Sequence, residues 1–206
     1  MKKFLKFSSL ALLALLTFAC SSSGVLTRYY TLAADSKIQA SKTYPHKVVV
    51  KKFTVDPAYN SSNIVYRESP YDFMSYNHDL WATAPDHQIT NILTEDLKQS
   101  GLFEKVEQRA SEMPDYEITG HLISIEEVDE GSNRYARVAI EVSFRDVKKD
   151  STLWKQTFDE KEALAGNEVR EIAKSASKLV NRYAEAVISG IENVLSRPSA
   201  PESEVQ

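Results

Sequence analysis

Val138, Ile140, Val142 and Phe144 alternate with Arg137, Glu141, Ser143 and Arg145. That period of two is met by a β-strand with one buried and one wet face. The strand from Arg134 to Val147 needs a neighbour, and Tyr116 to Asp129 supplies it across a turn at Glu130 to Asn133. In this first arm Ile118, Gly120 and Leu122 share one parity while Ile123 and Ile125 share the other. The switch predicts a β-bulge near Leu122 that returns the apolar residues to one face. A turn at Asp150 and Ser151 leads into Thr152 to Lys161, where Trp154, Gln156 and Phe158 form one row. The centre of the chain is therefore expected to be an antiparallel meander.

Helical periodicity flanks it. Ile89, Ile92, Leu93 and Leu97 recur at helical spacing between Pro85, suited to a first turn, and Gly101, suited to a stop, with Thr83 the expected cap. From Asn167 to Ser196 the residues Val169, Ile172, Ala173, Ala176, Leu179, Val180, Tyr183, Val187, Ile191 and Val194 make one apolar stripe. A helix of this length is about 40 Å long at 1.5 Å per residue, enough to cross a whole sheet. Earlier in the chain, Arg28 to Leu32, Lys47 to Phe53 with its Val48-Val49-Val50 run, and Asn63 to Arg67 read as strands, as does Leu102 to Gln108. Glu68 to Trp81 has no clear period and reads as a long ordered loop or an edge strand. The expected fold class is α+β: a largely antiparallel five- or six-stranded sheet packed against two helices, the C-terminal one long.

The N-terminus has a different character. Lys2, Lys3 and Lys6 precede an apolar stretch from Leu10 to Phe18, then Ala19 and Cys20, the order of an export signal. The apolar stretch is about half the roughly 20 residues that a spanning helix needs. Cys20 is the only cysteine, so no internal disulfide forms, and Ser21, Ser22, Ser23 and Gly24 follow it with nothing to bury a thiol. The segment resembles bacterial lipoprotein signals, with Ala19 and Cys20 fitting the cleavage site, although Thr17 and Phe18 stand where a Leu and a small residue are usual. The resemblance implies lipidation of Cys20 and membrane anchoring by its acyl chains. In the Gram-negative lipoproteins it resembles, an aspartate after the cysteine retains the protein in the inner membrane. Ser21 stands there, implying the outer membrane, facing the periplasm. The expected layout is a signal peptide over 1–19, a lipidated tether over 20–27, one α+β domain over 28–196 and a disordered tail over 197–206.

Composition narrows the function. With 42% apolar residues, a folded length of roughly 165 residues buries a core without disulfides or metals. Removing Lys2, Lys3 and Lys6 leaves 22 basic residues against 29 acidic ones, a net charge of minus seven. That balance, with no basic patch of interleaved aromatics, argues against nucleic acid as a partner. His46, His78, His87 and His121 are scattered without metal-ligand spacing, so no metal site is expected. No Gly-x-Ser-x-Gly elbow, Ser-x-x-Lys motif or phosphate-cradling loop is present, and neither a cofactor nor an enzyme is expected. Glu126, Glu127, Asp129 and Glu130 read as a solvated hairpin end rather than as catalytic carboxylates or a calcium loop. The wet face of the long helix carries Glu168, Glu171, Glu185 and Glu192 beside its Lys and Arg residues, so its apolar stripe is expected to pack on the core rather than on a membrane. Tyr66, Tyr71, Phe73, Tyr76 and Trp81 form an aromatic cluster that is either a recognition surface or a cap on the core.

The order Arg28-Tyr29-Tyr30-Thr31-Leu32, the Val48 to Phe53 strand, Trp81 with Pro85, the Leu93-Thr94-Glu95-Asp96-Leu97 helix segment, and the Trp154 and Phe158 strand before a long helix together resemble one family. This is the family of ABC-type transport auxiliary lipoproteins, which includes the paraquat-inducible C lipoprotein. The resemblance implies a noncatalytic component held at the outer membrane. Its implied partners are an ABC transporter and an MCE-domain protein, with which it moves lipids or other hydrophobic molecules, and homo-oligomeric rings are implied as well. A second reading from the same compartment is an envelope-assembly lipoprotein that chaperones lipopolysaccharide or outer-membrane proteins. A third is a secreted enzyme with an unrecognised site.

Overall fold

The computed structural model describes residues 25–35 and 37–197. Cys20, the signal segment and residues 198–206 lie outside them. The long hairpin is present as β7 (Tyr116–Glu130) and β8 (Asn133–Asp146), and β8 pairs in turn with β9 (Ser151–Ala163), both antiparallel. The bulge falls where the parity switch puts it. Leu122 pairs with Ile140 and Ser124 with Ala139, so Ile123 is the extra residue and is turned outward, while Ile118, Leu122 and Ile125 are all buried.

The free edge of β7 is occupied by three separate short strands laid end to end, all parallel to it. β2 (Tyr44–Val50) pairs through Val48 with Tyr116, β3 (Thr54–Val55) through Val55 with Leu122, and β4 (Asn63–Arg67) through Val65 with Glu126. Two branches leave this row. β6 (Phe103–Glu107) adds parallel to β2; β5 (Met74–Trp81) adds antiparallel to β4 and receives β1 (Arg28–Tyr30) in parallel. Among the described residues the sheet thus has nine strands and is mixed. The long ladders are antiparallel, as expected, but five short pairings are parallel. Those pairings join segments far apart in sequence, and no local pattern encodes them. The expected five or six strands are nine: two-residue β3 is a strand only because β7 lies beside it, and the Glu68 to Trp81 stretch contributes β5, which lies between β1 and β4.

Both helices form close to where the periodicity places them, α1 at Pro85–Ser100 and α2 at Val169–Leu195. Gly101 ends α1 with φ of 68°, the left-handed conformation that a residue without Cβ adopts freely. Thr83 is not its cap. Ala84 holds that position without a side-chain hydrogen bond, and Gln88 instead donates from Nε2 to the Thr83 carbonyl at 2.7 Å while accepting from the Leu32 amide at 2.7 Å. One glutamine therefore ties the helix start to the chain leaving β1.

Ile89 and Leu93 of α1 meet Val180, Tyr183 and Val187 of α2 over Ile140 and Val142 of β8. Tyr183 stacks on Phe158 at 4.7 Å between ring centres and donates to the Val138 carbonyl at 2.9 Å. The apolar stripe of α2 is thereby spent on the core. Two glycines let aromatic rings approach the backbone: Phe53 lies over Gly120, where an added Cβ would meet the ring at 2.2 Å, and Trp154 lies against Gly190.

Candidate functional site, an aromatic hairpin held by two buried glutamates

Adjacent residues of a strand point to opposite faces of the sheet, and β7 uses this at Glu126 and Glu127. Both are buried, against the expectation of a solvated hairpin end; the strand continues to Glu130, and β4 and β8 cover them. On one face Glu126 accepts from Tyr59 Oη at 2.5 Å, Arg67 Nε at 2.6 Å and Arg137 Nη1 at 3.1 Å. Arg137 is held from behind by Asp159, which accepts from its Nε at 2.8 Å and Nη2 at 2.7 Å. On the other face Glu127 accepts from Tyr76 Oη at 2.7 Å and from Arg134.

Burial pushes the Glu127 carboxyl above its usual range, and the hydrogen bonds from Tyr76 and Arg134 oppose that shift. Burial and the neighbouring Glu126 carboxylate push the Tyr59 phenol up to about 12. Tyr76 is raised for the same two reasons, burial first and then Glu127. Neither phenol ionises near neutral pH, so both remain hydrogen-bond donors.

These contacts fix the β4–β5 hairpin on both sides. Arg67 also donates from Nη1 to the Asp72 carbonyl at 3.0 Å, and its guanidinium lies over the Phe73 ring at 4.8 Å. Phe73 meets Tyr59 edge-on at 5.6 Å, and Tyr66 packs on Tyr76 at 4.8 Å. At the tip Tyr71 is 96% exposed and Phe73 is 45% exposed.

The five aromatic candidates therefore separate into three environments. Tyr71 and Phe73 are presented to solvent, Tyr66 and Tyr76 form a half-buried pair beneath them, and Trp81 is only 1% exposed. Trp81 is a core residue, closed in where β5 lies between β1 and β4, and is withdrawn as a contact for any partner. Tyr59, Arg67, Arg134 and Arg137 were not singled out from sequence. A signal for two of them existed: hairpin pairing sets Arg137 opposite Glu126 and Arg134 opposite Asp129, opposite charges at cross-strand positions.

Among the described residues no group of three or more His, Cys, Asp or Glu side chains is placed to hold a metal ion, and no described helix is long and apolar enough to cross a membrane. The hairpin tip presents Tyr71 and Phe73 beside Glu68, Ser69 and Asp72, above a base of paired charges.

The sequence profile of the ABC-type transport auxiliary lipoprotein components matches residues 30–188. The chain belongs to that family. No curated protein matches it in sequence. Among solved structures, protein XCC0632 from Xanthomonas campestris superposes with a TM-score of 0.72 at 13% identity, over 81% of this chain and 96% of that one. An uncharacterised protein gives 0.67 at 15% identity over 81% and 99%. The hypothetical protein CT253 from Chlamydia trachomatis gives 0.52 at 8% identity over 74% and 99%. At these identities the likeness is one of fold.

Proposed function

We propose that the chain is a noncatalytic, lipid-anchored component of an envelope transport system, held through Cys20 at the outer membrane and facing the periplasm. In this reading it works with an ABC transporter and an MCE-domain protein to move lipids or other hydrophobic molecules, and the hairpin tip is the contact to that machinery. The observation that carries the reading is Tyr71, almost wholly exposed on a hairpin whose base is locked by Glu126 and Glu127. With the backbone already held, entry into a partner's pocket orders only the two side-chain torsions of Tyr71, and aromatic residues of this kind dominate interface hot spots. Membership of the auxiliary family supplies the class of partner. Assembly into a homo-oligomer is part of the proposal as well.

The test places a photo-crosslinking amino acid at position 71 in the lipidated protein, irradiates intact cells and identifies the adducts by mass spectrometry. Adducts with an MCE-domain protein or an ABC subunit are expected, and adducts with a second copy of the chain would assign the tip to the oligomer. Adducts confined to lipopolysaccharide or outer-membrane assembly factors would move the protein to envelope assembly.

A further inference from the structure

Away from the hairpin, the sheet leaves one long edge open. Among the described residues β9 pairs with β8 alone, so its main-chain N–H and C=O groups that point away from β8 have no strand beside them. The other ends of the sheet are short, three residues in β1 and five in β6. β9 has 13 residues, and from Trp154 to Ala163 its register on β8 is unbroken. It contains no proline, and its one irregularity falls near its start, at Leu153. An edge of this length is a template for a further strand.

α2 covers one face of β9 and not its edge. Trp154 lies against Gly190, Phe158 stacks on Tyr183, and the Ala163 carbonyl accepts from Ser175 Oγ at 3.0 Å, so helix and strand run antiparallel. Lys155, Thr157, Asp159 and Lys161 alternate with these residues and are exposed on the opposite face. Lys155 pairs with Glu141 at 2.9 Å, Asp159 with Arg137 at 2.7 Å, and Lys161 with Glu130. These charges therefore do not make an ion site; what they decide is which strand can lie alongside in which register.

A second copy of β9 meets that condition. A two-fold axis normal to the sheet keeps every residue on its own face, so residues opposite one another across it have the same parity. With the axis at Thr157, Lys155 falls opposite Asp159 of the second copy, and by symmetry this happens twice, with Thr157 opposite Thr157 between them. Opposite charges and threonine pairs at such positions are favourable, and like charges are not. An axis at Phe158 sets Lys155 against Lys161, an axis at Lys155, Asp159 or Glu160 sets a charge against itself, and one at Gln156 brings no opposite charges together.

We propose that the free edge of β9 pairs antiparallel with the same edge of a second copy, about a two-fold axis at Thr157, so that one sheet runs through both molecules. Main-chain hydrogen bonds supply the strength of such an interface, and the charges of Lys155 and Asp159 set its register. The inference rests on the homo-oligomer proposed above and gives it a surface, one that is separate from the hairpin tip.

The test uses the full mature chain carrying Cys20→Ser, which has no other cysteine, with Thr157→Cys or Lys155→Cys added. Directly opposed residues of an antiparallel pair have Cα atoms about 4.5–5.5 Å apart, within the span of a disulfide. Residues 155 of the two copies stand four residues apart along the strands, about 13 Å, which is too far to bridge. In a glutathione redox buffer the Thr157→Cys protein is expected to form a disulfide-linked dimer at least about tenfold more than the Lys155→Cys protein. Both substitutions are at exposed positions, and circular dichroism checks each fold. Sedimentation velocity of the Cys20→Ser protein reads the oligomer separately. An oligomer in which position 157 links no better than position 155 overturns the edge pairing and keeps the oligomer. A monomer at every concentration, without the link at 157, overturns both.

Discussion

Trp154 of β9 packs against Gly190 of α2 so closely that a Cβ on the glycine would stand 2.6 Å from the indole Nε1. Glycine in a helix interior ordinarily costs about 1 kcal/mol relative to alanine, and here the missing methyl is the space the ring occupies. Gly190→Ala is expected to lower the melting temperature despite its better helix propensity. In a Trp154→Ala background the same change is expected to raise stability by about 1 kcal/mol. Thermal unfolding of the four proteins of the cycle reads that reversal of sign, and two effects of the same sign would refute the packing argument.

Glu126 gathers three donors in a buried site. Glu126→Ala removes the carboxylate shared by Arg67 and Arg137, but both guanidiniums reach solvent and Arg137 keeps Asp159, so the loss is that of hydrogen bonds to a charged group, about 1.5–3 kcal/mol. Urea denaturation is expected to show a loss of that size. Hydrogen exchange is expected to show β4 and β5 losing protection ahead of α2, because the lost contacts lie at the hairpin base.

Tyr71 should behave in the opposite manner. It is exposed at the hairpin tip, so Tyr71→Ala is expected to change stability by no more than about 0.5 kcal/mol. Its effect on capture of the transport partner is expected to be at least about tenfold, the scale of an aromatic hot spot. A variant that captures the partner normally would remove the tip from the interface.

Asp96 sits buried on α1 with its Oδ2 lacking a hydrogen-bond partner. Burial, together with the charges of Glu185 and Glu95, pushes its carboxyl up to about 6. Between the unfolded value of 3.8 and about 6 the native state holds the proton that the unfolded chain has lost. The contribution of Asp96 to stability therefore declines as pH rises through that window and stays unfavourable above it. Asp96→Asn is expected to raise the melting temperature more at pH 7.5 than at pH 4, by the equivalent of roughly 1–3 kcal/mol. A gain independent of pH would remove the carboxyl as its cause.

The features legible in the sequence were those written in neighbouring residues. The alternation in β8 gave the hairpin, the parity switch gave the bulge at Ile123, and the stripe from Val169 to Ile191 gave the long helix. Features set by distant partners were not legible. Thr54 and Val55 are too few to show a period, and they form a strand only beside His121 and Leu122. Thr83 has the composition of a cap, but Gln88 reaches back past it to secure Leu32. Glu126 and Glu127 read as wet because carboxylates normally are, and the arginines that permit their burial come from two other strands, Arg67 from β4 and Arg134 and Arg137 from β8. Of the aromatic candidates, Tyr71 and Trp81 have opposite exposures: Tyr71 lies in the turn before β5, while Trp81 lies at the end of β5 that β1 and β4 flank.

The single edge of β7 that receives β2, β3 and β4 also sets a timetable. A chain is made from its N-terminus, yet Val48, Val49 and Val50 have their partners in Tyr116, Glu117 and Ile118, and Val65 has its partner in Glu126. The first half of the molecule is therefore made before the strand that organises it exists, and its two groups of strands, β2 with β6 and β5 with β4 and β1, stay unjoined until the second half arrives. Contacts so distant in sequence place the chain among slow folders. Fragments ending before Tyr116 hold β2 with β6, and β5 with β4 and β1, but lack the long strand that joins these two groups into one sheet.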